Sequence, residues 1–456
     1  MTELNTASRV LDLVRAKAGA GAEAEAMVHH SAEALTRFAN SAIHQNVADA
    51  TTTVRLRLHV DGRTATGSTT VTDAAGLESL VDRTVAAARL TPVDEAWAGL
   101  TPPMPLAAAD DDFDQATAGA SPDERAARVR AFVDAAGGLE TAGYCRTFYR
   151  SGAFANSAGQ AVSGRSAGAD MDGIARDAGV DGVARLAGER LAALDGAELG
   201  ARAAAKARAA GAAIELPPGR YEVVLEPDAV SDVLNVLSAY GFNGKAHARG
   251  ESFARLGEAQ FDPAVTIVDD PVGLLPFDLE GTPLRPLTMV DAGITAAVTH
   301  DRRSAAEAGA VTTGHSSAIA FVWGPVAHQP ALLPGPGVAS APESAGPTAP
   351  TARPLVAGMR RGLLITDFWY TRVLDQKSLV MTGLTRNGVW LVEDGEVVAA
   401  VSNMRFTQNY PQALGPGDVL GVGAEAVPIP DRWAGHRISA PALHLRSWNL
   451  TGNASG

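Results

Sequence analysis

Between Arg220 and Phe253 the hydrophobic period of the chain changes once, and that change limits what can be built around it. Residues 221–227 read YEVVLEP, a β-rich run closed by Pro227. Beyond it Val230, Val233, Leu234 and Leu237 fall at i, i+3, i+4 and i+7, the stripe of an amphipathic helix. A strand followed at once by a helix is therefore expected. Pro227 and Asp228 suit the helix start, where a missing N–H costs nothing and a carboxylate meets free amides. Gly241 and Gly244 suit its end, which predicts a helix over 228–240.

The preceding half alternates strand and helix signals. After an amphipathic first helix carrying Val10, Leu11 and Val14 come the short β-like segments AEAMVHH and EALTRFAN, then TVRLRLHV. In the last, Val54, Leu56, Leu58 and Val60 alternate with Arg55, Arg57 and His59, so one face is buried and the other wet. Asp61-Gly62 signals a hairpin, and Leu77, Leu80, Val81, Val85 and Leu90 mark the next helix. Residues 91–120 hold PVDEAW, TPPMP and ADDDFD without a period and read as a surface connection. Asp110, Asp111, Asp112 and Asp114 lack the later bidentate acid that would close a calcium loop. Ser121 to Glu124 form a capping box. A helix, a strand-turn-strand over 139–166, and the helices ERLAALDG and AELGARAAAKARAAG follow. FANSA occurs at both 38–42 and 154–158, open to reading as a duplicated unit or as coincidence.

The linker Leu216 to Gly219 separates this part from a second half that is mostly β. Turns are expected at Glu280 to Pro283, Asp291 to Gly293, Asn387-Gly388 and Asp394-Gly395. The Pro/Ala/Gly-rich stretch 334–354 reads as a long irregular loop. The fold class is thus α+β in two domains: 1–215 with mixed strand and helix layers, and 216–456 with a mostly antiparallel β architecture.

Composition excludes several function classes. The net charge of −13 with no basic stripe argues against nucleic acid. No apolar run is long enough to cross a bilayer and no signal-peptide core is present, so a cytoplasmic location is expected. A lone cysteine, Cys145, rules out intrachain disulfides and reads as a small buried hydrophobe. Ten histidines include no i, i+4 pair on a predicted helix with an acid beside it. G-x-S-x-G occurs once, as GRSAG at 164–168, but at the end of the expected strand-turn-strand rather than at a strand-to-helix turn, so it does not read as a nucleophile elbow; no G-x-x-x-x-G-K-[ST] loop occurs.

The segment GFNGKAHARGESF resembles the glycine-rich loop that follows the metal-binding helix of TldD/PmbA-family peptidases. FANSAG at 154–159, DLEGTPLRPLTMVDAGI at 278–294, SAAEAGAVTTGHSS at 304–317 and the strands of 363–406 resemble further family segments. Active members carry HExxxH on that helix and loop. Laid over LSAYGF, the motif puts Leu237 and Phe242 in place of its histidines and Ser238 in place of its glutamate. None of these side chains is a zinc ligand, so the resemblance is to the metal-free TldE/PmbA branch. It implies no cofactor in this chain, zinc in a TldD-like partner subunit, and a shared role in degrading or processing unfolded peptides. It also implies peptide or partner contacts at His247, Arg249, Thr313 and His315. The other class left open is a stand-alone peptide-binding module, or a hydrolase with a site elsewhere.

Overall fold

The structure, a computed structural model, describes residues 2–106, 113–317, 323–336, 346–431 and 437–453. Alternation in the first half produces six strands: β1 (Glu23–Ala39), β2 (Ala42–Val60), β3 (Arg63–Thr69), β4 (Glu140–Asn156), β5 (Ala161–Asp177) and β6 (Val180–Gly188). They form one antiparallel sheet in the order β3-β2-β1-β4-β5-β6. Val54, Leu56 and Leu58 are fully buried against helices Glu3–Ala18 and Ala74–Ala88, as their period requires. A second core, around Phe132, Cys145 and Met171, packs under helices Pro122–Ala135 and Gly196–Ala209. Burial lifts the Cys145 thiol to about 12, which fits a packing role.

Helix, three strands and helix therefore occur twice, meeting at β1 and β4. The two FANSA copies occupy the first hairpin corner of each unit. In the first, Asn40 and Ser41 take positive φ in a two-residue turn; in the second, Asn156 Oδ1 accepts the amides of Ala158 and Gln160. β1 runs unbroken through the two segments expected from the sequence, because its pairing with β2 and β4 spans both.

Three more expectations change. Residues 91–120 are not simply surface: Thr101 is fully buried and its hydroxyl donates to the Glu280 carbonyl in the second half. Asp114 caps the short helix Gln115–Ala118, while Asp110, Asp111 and Asp112 lie outside the described residues. ERLAALDG supplies only one 3-10 turn, Leu191–Ala193.

The second half comprises β7 (Gly219–Leu225), β8 (Ile267–Asp269), β9 (Leu287–Asp291), β10 (Ile294–Thr295), β11 (Pro330–Leu332), β12 (Arg361–Asp375), β13 (Val380–Glu393), β14 (Glu396–Ala400), β15 (Met404–Asn409), β16 (Val419–Val422), β17 (Val427–Pro430), β18 (Arg437–Ala440) and β19 (Leu443–Asn453). The pairs β12–β7, β7–β19, β19–β15, β15–β13 and β13–β12 close a ring of strands. Phe368, Phe406 and Trp448 stack in its core, with 5.0 Å between the Phe368 and Trp448 rings. A second sheet runs β10-β9-β8-β11-β18-β17. Helix Pro227–Val236 packs between β12 of the ring and β18 of that sheet.

Asn387-Gly388 is not a hairpin turn. It lies inside β13, where the register against β12 slips between Ile365 and Asp367; the positive φ of both residues makes a bulge. Asp394-Gly395 does turn the chain, into β14. In the loop 334–354, Ala349 and Ala352 are buried and the Ala349 amide donates to Glu226, while 337–345 lie outside the described residues.

Candidate functional site

The helix starting at Pro227 ends its α-helical part at Val236, earlier than expected, and widens into a π turn over Leu237–Gly241. There the Phe242 amide reaches back to the Leu237 carbonyl at 2.8 Å. The motif positions are thereby turned into the core. Leu237 and Phe242 have no exposed surface, and the Phe242 ring packs 5.6 Å from Phe253 and 6.1 Å from Phe261. Ser238 is buried, and its hydroxyl accepts the Ala327 amide at 3.0 Å. Gly241 belongs to the same packing, since a Cβ there would stand 2.4 Å from the Phe253 ring. The space that would have to hold a metal is filled by hydrocarbon.

Asn243 restarts the helix. Its side chain caps Gly244–Ala248 and donates to the carbonyls of Ala239 and Trp323. That short helix carries Lys245 and, just past its end, exposed Arg249 into a cleft of about 800 Å³. The opposite wall is the wet face of β2 and β3, with Arg55, Arg57, Thr64 and Thr66; Asp94, Glu280, Arg303, Ser316 and Ser317 complete it. The cleft thus lies between the two halves of the chain.

Charges around it are mostly matched. Arg57 pairs with Glu25 at 2.7 Å and with Glu280 at 3.0 Å. The other Glu280 oxygen accepts the Arg302 amide. Burial lifts the Glu25 carboxyl to about 7 even with Arg57 beside it. Burial, then the Glu280 charge, lifts Asp278 to about 8, although its oxygens accept the amides of Glu280, Thr282 and Ser316. Arg303 pairs with Asp94 at 2.7 Å.

Of the residues expected to make contacts, only Arg249 lines the cleft. His247 is half-buried on the short helix. His315 is fully enclosed: Nε2 donates to Asp269 at 2.9 Å, Nδ1 accepts the Thr313 hydroxyl at 2.8 Å, and the ring stacks 4.8 Å from His328. Burial opposes the Asp269 charge, yet the His315 hydrogen bond and the neighbouring imidazoles hold its pKa below the usual range. Hydroxyl, imidazole and carboxylate in a row are the order of a nucleophilic triad. Thr313 Oγ1, however, also accepts the His300 amide at 2.6 Å, and neither Thr313 nor His315 is among the cleft-lining residues. The row pins the loop. Arg55, Arg57 and Glu280 were missed as site residues; the only sequence signal was two arginines on one face of β2.

The family model of the PmbA/TldA metallopeptidase C-terminal domain matches residues 218–452, and that of domain 1 matches residues 24–88. The chain belongs to the TldD/PmbA family. A metalloprotease of Methanothermobacter thermautotrophicus is 24% identical over 235 residues, a match spanning 50% of this chain and 48% of that relative, about half the length of each. Among solved structures, TldE of Thermococcus kodakarensis superposes with a TM-score of 0.82 at 18% identity, covering 94% of this chain and 97% of that one. A Thermotoga maritima protein described as a candidate modulator of a DNA gyrase gives 0.83 at 20% identity, covering 98% and 100%. At such identities these two similarities establish the fold. The metal that the family name implies does not fit this helix, because Leu237, Ser238 and Phe242 present no nitrogen, thiolate or carboxylate donor. Among the described residues, no group of three or more His, Cys, Asp or Glu is placed to hold a metal ion, and no helix is long and apolar enough to cross a membrane.

Proposed function

We propose that this chain is the metal-free, TldE-like subunit of a cytoplasmic TldD/TldE-type metallopeptidase that degrades or processes unfolded peptides. Zinc and the HExxxH glutamate belong to a TldD-like paralogue, while this chain completes the chamber. The observation that carries the reading is the packing of Leu237 and Phe242: the family's metal-site positions are occupied by fully buried apolar side chains in an aromatic cluster. The adjoining cleft, walled by hydroxyls and charges, suits an extended peptide bound largely through its main chain.

Two measurements test this. Elemental analysis of tag-free protein after dialysis should find far less than one zinc per chain; a stoichiometric, retained zinc overturns the proposal. The isolated chain should show no chelator-sensitive cleavage of an unstructured peptide, and mixing with a TldD-like paralogue should produce it. Equal activity without the paralogue would instead mark a self-sufficient hydrolase.

A further inference from the structure

We propose that Arg55 and Arg249 form a receptor for a peptide carboxylate in the cleft between the first sheet and the loop that follows the π turn. This rests on the peptide-handling role above and names the group by which the peptide is anchored.

The proposal comes from asking which charges in the cleft are already used. Four acids line the cleft, and three have a partner: Glu280 has Arg57 and the Arg302 amide, Asp94 has Arg303, and Asp301 accepts the Ser304 amide. The fourth, Glu307, is exposed to solvent on the helix Arg302–Ala308 and has no partner among the described residues. Arg57 and Arg303 are correspondingly engaged. Arg55 is different. It is half-buried on β2, lines the cleft, and has no hydrogen bond or ion pair among the described residues. Glu25 and Glu280, the acids whose charges act on it, are both committed to Arg57. Burial pulls its pKa below the ordinary arginine value, the sign of a cation that has lost water and gained too little in return. Arg249 reaches the same cleft from the other half of the chain, likewise without a partner among the described residues. The Ser317 hydroxyl on the wall is buried with no hydrogen-bond partner among the described residues.

An uncompensated, partly desolvated guanidinium in a cleft costs stability, and that cost is relieved when an anion arrives. Its planar fork matches a carboxylate bidentately. The half-buried Arg55 on one wall and the exposed Arg249 on the other fix the direction of an extended chain, whereas the hydroxyls of Thr64, Thr66 and Ser316 leave its sequence free. A peptide offers that carboxylate from its C-terminus or from an Asp or Glu side chain.

The test is fluorescence anisotropy of three labelled, otherwise uncharged unstructured pentapeptides with the full chain: free C-terminal acid, C-terminal amide, and amide with one internal glutamate. Either carboxylate-bearing peptide should bind about tenfold or more tighter than the plain amide, the range of a charge-assisted hydrogen bond. Which of the two does so identifies the source. In Arg55→Gln/Arg249→Gln the preference should vanish while the plain amide binds as before. The melting temperature of Arg55→Gln should be unchanged or higher, because no folded-state partner is lost. Equal binding of all three peptides by the wild type, no binding of any, an undiminished preference in the double variant, or a destabilised Arg55→Gln would each overturn the proposal. The subunit role is read separately, by co-purification with a TldD-like paralogue. If the paralogue binds but the peptides are not distinguished, only the anchor fails; if the carboxylate preference holds without association, only the subunit role fails.

Discussion

Phe242, which the resemblance to the family lays over a metal-binding histidine, is at the scale of one residue a packing side chain. Its ring is fully buried against Phe253 and Phe261, so Phe242→Ala should destabilise the fold by about 3–5 kcal/mol, and Leu237→Ala by about 2–5. Restoring the motif with Leu237→His, Ser238→Glu and Phe242→His should lower the melting point without yielding tight zinc, because polar groups would enter a pocket lacking the remaining ligand and its supporting hydrogen bonds. Calorimetry with and without zinc checks this; a wild-type melting point with tight zinc binding would show that the site survives. His300 allows a test by pH. Burial, then the charge of His247, lowers its pKa, with His315 acting the same way and Asp301 opposing; His328 is shifted in the same direction. The unfolded chain then takes up protons below the ordinary histidine pKa while the native state resists them, so stability present above that pKa is lost as pH falls. The slope approaches about 1.4 kcal/mol per pH unit for each histidine. Glu25 and Asp278, lifted to about 7 and about 8, act with the opposite sign in this range, so the test is a difference: between pH ~7.5 and ~5.5 the urea midpoint of His300→Gln should fall less, or rise more, than that of the wild type. The absence of donors at 237, 238 and 242 was legible in the letters themselves. The Arg57–Glu280 pair was not, because 223 residues separate its members and nothing local to either announces the other.

Among the elements, the π turn and the short helix behind it form a unit held by close approaches. Gly244 lies so near the strand-like segment beside it that a Cβ would stand 2.2 Å from the Thr299 carbonyl and 2.4 Å from the His300 ring. Gly244→Ala should therefore cost about 1–3 kcal/mol, the range for an overpacked contact. A denaturant midpoint equal to wild type would mean that the loop yields freely. Periodicity revealed the helix but not its widened end, because Leu237 continues the apolar stripe whether the turn is α or π. Asn387-Gly388 failed as a turn signal for a related reason: the same positive-φ pair serves a two-residue hairpin and a bulge within a strand, and only pairing across to Ile365 and Asp367 decides which. Val54 to Val60 was read correctly, since one face meets a core and the other does not.

For the whole molecule, the two halves are joined by buried ion pairs as well as by the chain. Lys206, on the last helix of the first half, meets Glu226 at the start of the second at 2.5 Å, both essentially without exposure. Arg185 of β6 holds Asp172, Asp228 and Asp367 together. Lys206→Met should destabilise by about 3–5 kcal/mol by leaving a buried carboxylate uncompensated, and adding Glu226→Gln should recover most of that loss. Equilibrium unfolding of the three proteins checks this, and a double variant as weak as the single would refute it. The α+β class was readable from the hydrophobic period; these contacts were not, since a lysine in an alanine-rich helix looks solvated until its partner is known. The ring of strands carries one more implication. β7 and β19 are antiparallel neighbours, with Gly219 opposite Leu450, so the second half starts and finishes on adjacent strands and the first half hangs from a single point on it. In genetic terms this is a junction where coding sequence can be joined or exchanged without cutting a strand of the ring, on condition that an incoming segment still supplies cations to face Glu226, Asp228 and Asp367.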